Sequence, residues 1–238
     1  MRRPFKTPLI EVSAELHISS SMLVEMRSQS FFDRLQPGFP TVLRVPTFLV
    51  QPESAPALFT PAYRFYSQDS SKIVQLGPRM MAYNVVQWAG FEAFKVEAGV
   101  VVEAFRSVMP KLELYQFQLS FYNRIPVTNF AELSEILIIG SAFPADTSSA
   151  EFFIQSVRAL DHSSSILTQI QGLPADARTP EPYVAVNNVV RCRGTDDVPL
   201  ATDSWATWLD FAHDRAKEAL WSSLMPAARE SWNKNEPV

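Results

Sequence analysis

The sequence predicts an α+β fold in which antiparallel sheet is packed by two long amphipathic helices. Residues 10–19 alternate apolar and polar without error, residues 91–109 carry apolar side chains at helical spacing, and strand-like runs gather in hairpins ahead of each long helix. The order strand, helix, hairpin or strands, long helix occurs twice, with Pro110 near the seam. An internal duplication is therefore expected, with 1–110 and 111–238 as two repeat-like halves of one continuous fold unit.

Each element has a local reason. Ile10, Val12, Ala14, Leu16 and Ile18 share one face and Glu11, Ser13, Glu15, His17 and Ser19 the other, which reads as a strand with one wet side. Residues 21–35 carry Leu23, Met26, Phe31 and Leu35 at loosely helical spacing and stop at Pro37-Gly38. Residues 41–50 are strand-like, but Pro46 places them at a sheet edge. Residues 63–66 and 72–76 flank a polar loop as a hairpin, and strand character returns at 80–86. Phe91, Phe94, Ala98, Val101, Val102, Phe105, Val108 and Met109 then form the stripe of an amphipathic helix that Pro110 closes.

The second round opens at 112–123, where Tyr115, Phe117, Leu119 and Phe121 alternate with Gln and Ser. Leu112 and Leu114 are out of phase, which a bulge near Leu114 reconciles. A short helix at 129–136 with Asn129 as N-cap follows, then a hairpin of 152–160 and 165–171, a strand at 183–192 and a terminal helix from Trp205 to about Arg229. Segments 63–71 and 157–165 align without a gap, and Gly77 and Gly172 stand at corresponding ends of the two hairpins.

Composition narrows function by exclusion. The seven glycines are too far apart for a phosphate-cradling loop, and no serine lies in Gly-x-Ser-x-Gly. Lys and Arg number 21 against 25 Asp and Glu, and the resulting net charge of -4 repels phosphate backbones and anionic membrane surfaces, so no nucleic acid and no membrane is expected as partner. No apolar run approaches the ~20 residues of a bilayer span. The basic residues 1–6 lead into Thr7-Pro8 rather than an apolar core, unlike a secretory signal. A lone Cys192 cannot close an intrachain disulfide and fits a reducing cytoplasm. Val184, Val186 and Val190 share its strand face, so it reads as a packed hydrophobe rather than a nucleophile activated by Arg191 and Arg193.

Several residues remain as binding candidates. Glu15 and His17 are alternate residues of one strand face and so lie roughly 7 Å apart along the backbone, while Glu11 is about 13 Å from Glu15. A Glu and a His can exchange protons or ligate a metal, yet with no third ligand a solvated sheet face is the expectation. His213 sits at the edge of the terminal helix's apolar stripe, with Asp210 placed to orient it. Arg64, Arg124 and Arg158 lie in or beside strands, where they clamp an anion or form surface salt bridges. Core anchoring accounts for Trp205 and Trp208, which leaves Trp221 and Trp232 for an exposed binding patch. His162 and Asp161 are adjacent and point apart, so they are no dyad. With only His17, His162 and His213, no two-histidine zinc helix can be written, and no cofactor or metal is expected.

Pro8-Leu9-Ile10-Glu11-Val12, Val85-Val86-Gln87-Trp88, Leu119 to Ile125 and the Leu209-Asp210-x-x-His213 helix resemble a sporadically distributed bacterial protein family of about this length. The resemblance spans nearly the whole chain and implies one continuous fold. It brings no established activity, and Ser120 stands where the family carries arginine. The leading expectation is a non-catalytic cytoplasmic protein that binds a protein partner, or itself, through the C-terminal helix or a sheet face. The alternatives are a small-ligand-binding protein with a pocket between sheet and C-terminal helix, and an enzyme of unrecognised type using His213, Asp210 or Glu15 as acid and base.

Overall fold

The structure is a computed structural model and describes residues 9–18, 22–48, 59–127, 132–138, 152–173, 182–194 and 200–233. Within these, the order is β1 (Leu9–Ile18), α1 (Met22–Leu35), β2 (Thr41–Phe48), β3 (Phe59–Tyr66), β4 (Lys72–Gly77), β5 (Met80–Val85) and α2 (Phe91–Val108). It continues with β6 (Leu114–Pro126), α3 (Leu133–Ile136), β7 (Phe152–Ala159), β8 (Ser164–Leu173), β9 (Tyr183–Arg193), a 3-10 turn at Thr202–Ser204, α4 (Trp205–Ser223) and α5 (Pro226–Asn233). Antiparallel sheet with helices makes the fold α+β. Asn129, expected as a helix cap, lies outside the described residues.

The chain forms two compact units, Glu11–Leu119 with Arg191–Asp210, and Met1–Ile10 with Ser120–Val190 and Phe211–Val238. The first, here the α2 unit, orders its strands β2-β3-β4-β5-β1-β6, with antiparallel pairing from β2 through β1. Its core lies between this sheet and α2. Phe94, Ala98, Val101, Val102, Phe105 and Val108 are the buried stripe of α2, as the sequence spacing predicts. Tyr83 stacks on Phe94 with ring centroids 5.4 Å apart, and Phe31 meets Phe65 and Phe105 edge to face. Arg27 of α1 donates to the Val108 carbonyl at 2.6 Å, satisfying one of the acceptors that the end of α2 leaves open. On α1 the buried residues are Val24, Phe31 and Leu35, while Leu23 and Met26 are exposed. The expected stripe is thus rotated by one residue at its start, because contact with Phe65 and Phe105, not the helix's own pattern, selects the inner face.

The second, here the α5 unit, orders its strands β6-β9-β8-β7. Ile125, Val127, Ile136, Leu137, Ile170, Val184, Val186 and Leu224 form its core, with Phe152, Ile154, Leu220 and Trp221 packed against it. The single terminal helix expected from 205 to about 229 is broken. α4 ends at Ser223, buried Leu224 bridges to Leu137, Met225 N–H donates to the Ile136 carbonyl at 2.9 Å, and α5 starts at Pro226. Proline supplies no N–H for the α4 ladder and disfavours helical geometry at the preceding residue, yet suits the first position of a new helix.

The two aligned hairpin segments close differently. Ser67 N–H donates to the Lys72 carbonyl around residues 68–71, and Leu160 N–H to the Ser164 carbonyl around residues 161–163. Each turn is organised by an aspartate two residues before a serine: Asp69 takes the Ser71 N–H at 3.1 Å and Asp161 the Ser163 N–H at 2.8 Å. The gapless alignment sets Asp69 against Ser163 instead, so the serines match in sequence while the turns do not superpose.

Candidate functional site

The face of β1 that carries Glu11, Ser13, Glu15 and His17 is not wet. Ala14 pairs with Tyr83, whose ring lies on α2, so the odd residues of β1 face away from that helix, beside Asn84, Ala82 and Met80. Ser13 and Asn84 are buried, and the Glu15 and His17 side chains are only 16% and 21% exposed. The carboxylate of Glu15 meets His17 Nε2 at 3.0 Å and accepts from Ser13 Oγ at 3.3 Å, and His17 turns an edge to Tyr115. Alternation reveals which residues share a face but not whether that face is covered. Burial and the charge of Glu15 push the Glu11 carboxyl above its ordinary range.

Four further polar residues extend this helix-free side of the α2 unit. Phe117 packs on Trp205 and Trp208, each ring 5.4 Å away, and Lys95 of α2 pairs with Asp210 of α4 at 2.6 Å. Gln116 and Gln118 alternate with Phe117 and therefore face away from both helices. Arg191 Nε donates to Gln118 Oε1 at 2.8 Å, Arg193 Nε to Gln116 Oε1 at 3.0 Å, and Gln116 Nε2 to Gln118 Oε1 at 3.3 Å. Gln116 is buried, and the two guanidinium groups are held by their inner nitrogens. Their terminal nitrogens have no partner among the described residues. A fork fixed at Nε with its Nη groups unengaged among the described residues is a donor site for carboxylate or phosphate oxygens.

A second polar group lines a cleft of about 760 Å³ between the β3–β4 turn and α2, bounded by Phe39, Asp69, Lys72, Glu97 and Val100 among others. Glu97 accepts from Lys72 Nζ at 2.5 Å and from the buried Tyr83 hydroxyl. Burial alone would raise the Glu97 carboxyl, but these two hydrogen bonds and the Lys72 charge hold it below its ordinary value. Desolvation, reinforced by the bond to Glu97, pushes the Tyr83 hydroxyl upward. Asp69 falls to about 2 through bonds from Ser67 and Ser71. These groups satisfy one another, so the cleft's polar wall is a brace between sheet and helix.

The remaining expected residues have contacts of their own. Asp210 is paired with Lys95, and His213 lies 5.8 Å from the Phe121 ring and 3.8 Å from Asp214. Arg124 makes no salt bridge among the described residues and lies 4.1 Å above the centre of the Tyr183 ring. Trp221 is half-buried and packs against the core of the α5 unit rather than forming a fully exposed patch. The Trp232 side chain lies outside the described residues. Among those residues no three His, Cys, Asp or Glu side chains assemble as metal ligands, and no helix is long and apolar enough to cross a membrane.

In the sequence Arg191 and Arg193 stand out only as neighbours of Cys192. Their signal was available as two period-2 pairs, Gln116 with Gln118 and Arg191 with Arg193, but nothing in the sequence sets those pairs side by side. The brace of Lys72, Tyr83 and Glu97 left no such signal. No protein-family model matches the chain, and no curated protein matches it at a significant level.

Proposed function

We propose that the protein is a non-catalytic cytoplasmic binding protein that holds an acidic segment of a protein partner against Arg191 and Arg193. The observation that carries this reading is the pair of guanidinium groups anchored through Nε on Gln118 and Gln116 with their terminal nitrogens unengaged among the described residues. Such preorganisation lowers the ordering cost of binding a carboxylate, and a strip on a strand face suits an extended chain better than an enclosed small molecule. The lone cysteine supports the cytoplasmic placement. The separate engagements of Asp210 with Lys95 and Glu15 with His17 favour binding over acid–base chemistry. Two finer readings belong to the same proposal: membership of the bacterial family named above, and duplication of a strand, helix, hairpin, helix unit. For the latter, the first strand of each round neighbours the last strand before the long helix, β1 beside β5 and β6 beside β9, with the hairpin strands following outward.

A second reading, a small-molecule site in the cleft beside α2, draws on its volume of about 760 Å³ and the exposed Val96 and Val100 at its mouth. The partner reading is tested by fluorescence anisotropy with a labelled oligoglutamate peptide. Binding is expected to weaken with added salt and to fall at least about tenfold in Arg191→Ala/Arg193→Ala, the loss of one charge-assisted contact being worth about that much. Equal affinity of wild type and double variant refutes it.

A further inference from the structure

We propose that the edge strand β7 pairs antiparallel with β7 of a second copy of this chain, on a twofold axis at Gln155. This rests on the α5 unit alone and is independent of the arginine site. Among the described residues β7 is the end strand of its sheet and pairs with β8 alone. Its register with β8 runs unbroken from Phe152 opposite Gly172 to Ala159 opposite Ser165, and the Leu160 N–H bond to the Ser164 carbonyl continues it. Bonded residues alternate in an antiparallel ladder. Phe152, Ile154, Ser156 and Arg158 therefore exchange backbone bonds with β8, and Phe153, Gln155, Val157 and Ala159 direct their N–H and C=O groups outward.

The residues with outward backbone groups are also those with the exposed apolar side chains: Phe153 is 58% and Val157 66% exposed. Apolar side chains flanking unused donors and acceptors make a pairing template. The other end strand, β2, is blunted by Pro46 and by exposed Arg44. β7 contains neither proline nor glycine.

Self-complementarity selects a second copy as the occupant. Pairing about Gln155 sets Phe153 opposite Val157 of the second copy and Val157 opposite its Phe153, two aromatic-to-β-branched pairs of the kind that stabilise sheets. Gln155 faces its own counterpart; its Oε1 accepts from Gln169 Nε2 at 3.3 Å, which leaves its amide nitrogen to bond across the seam. Arg158, the strand's one charge, falls opposite Phe152 rather than another Arg158, so no like charges meet. Each of the three pairs contributes two backbone hydrogen bonds. The contact is isologous and closes on itself, giving a dimer rather than a fibre.

Sedimentation equilibrium of the full chain tests this. The mass is expected to rise from 26.8 kDa toward twice that value with concentration. Val157→Lys, which sets a charge opposite Phe153, and Gln155→Pro, which removes an outward N–H and the side-chain amide at the axis but no backbone bond to β8, are each expected to keep the folded circular-dichroism spectrum and shift the dimer dissociation constant at least tenfold. As a readout that does not depend on disruption, Gln155→Cys should cross-link to dimers under mild oxidation. A directly opposed bonded pair has Cα atoms ~5.5 Å apart, within disulfide reach. Arg44→Cys on the other edge should not cross-link. A chain that stays monomeric at every concentration, including one that instead takes up a foreign extended peptide at this edge, overturns the proposal. So does a dimer that survives both edge variants, or Gln155→Cys cross-linking no faster than Arg44→Cys.

Discussion

Gly77 and Gly172 stand at corresponding ends of two hairpins, and replacing each with alanine is expected to move stability in opposite directions. A Cβ at Gly172 would lie 2.1 Å from Cε1 and 2.5 Å from Cδ1 of Phe152, its register partner on β7. Carbon atoms pack at about 3.5–4.0 Å, so the ring must retreat by more than an ångström from the core of Ile125, Ile170, Val184 and Val186 that it covers. Overpacking of this kind costs about 1–3 kcal/mol. A Cβ at Gly77 would lie 3.7 Å from Met80 Cγ, an ordinary contact, at a backbone conformation alanine can adopt. There the reduced freedom of the unfolded chain should add about 0.4–1 kcal/mol of stability. Urea unfolding followed by circular dichroism should separate the two variants by roughly 1.5–4 kcal/mol. Gly172→Ala with Phe152→Leu should lose less than the two single variants together, because the smaller side chain yields the space. A Gly172→Ala variant as stable as wild type, or a Gly77→Ala variant equally damaged, would refute the argument from local space.

The brace between sheet and α2 makes an ordered prediction: Tyr83→Phe deletes a donor from a carboxylate that Lys72 still holds, at about 0.5–1.5 kcal/mol, whereas Glu97→Ala strands a buried hydroxyl, at about 1–3 kcal/mol. Denaturation midpoints that put the two variants in the reverse order would show that the hydroxyl finds another acceptor. Acid should weaken the fold through Asp69. Its carboxyl lies at about 2 in the folded chain against an ordinary 3.8, so its contribution is complete above the ordinary value and disappears as pH falls through the folded one. Glu97 and Asp161, also lowered, act with the same sign. Asp69→Asn keeps an acceptor but cannot titrate. Unfolding midpoints measured from neutral pH down to about pH 2 should fall less steeply in this variant, and an unchanged profile would contradict the assignment.

The sequence by itself determined the local elements, because local structure is written by near neighbours. The alternation of β1, the stripe of α2, the stop at Pro110 and the two hairpins all act over a few residues, and each lies close to its expected place. Tertiary structure decided which faces are covered and which distant groups meet. Gln118 and Arg191 are 73 positions apart and Lys95 and Asp210 are 115 apart. Strand order and register join the first pair, and the packing of the start of α4 on α2 joins the second. The polar side of β1 is largely covered beside its neighbours on β5 and β6, and Trp221 packs on the core of the α5 unit, which its place on α4 alone does not reveal. Periodicity assigns a side chain to a face; only the sheet order and the helix packing assign that face to water, to the core or to another charged group.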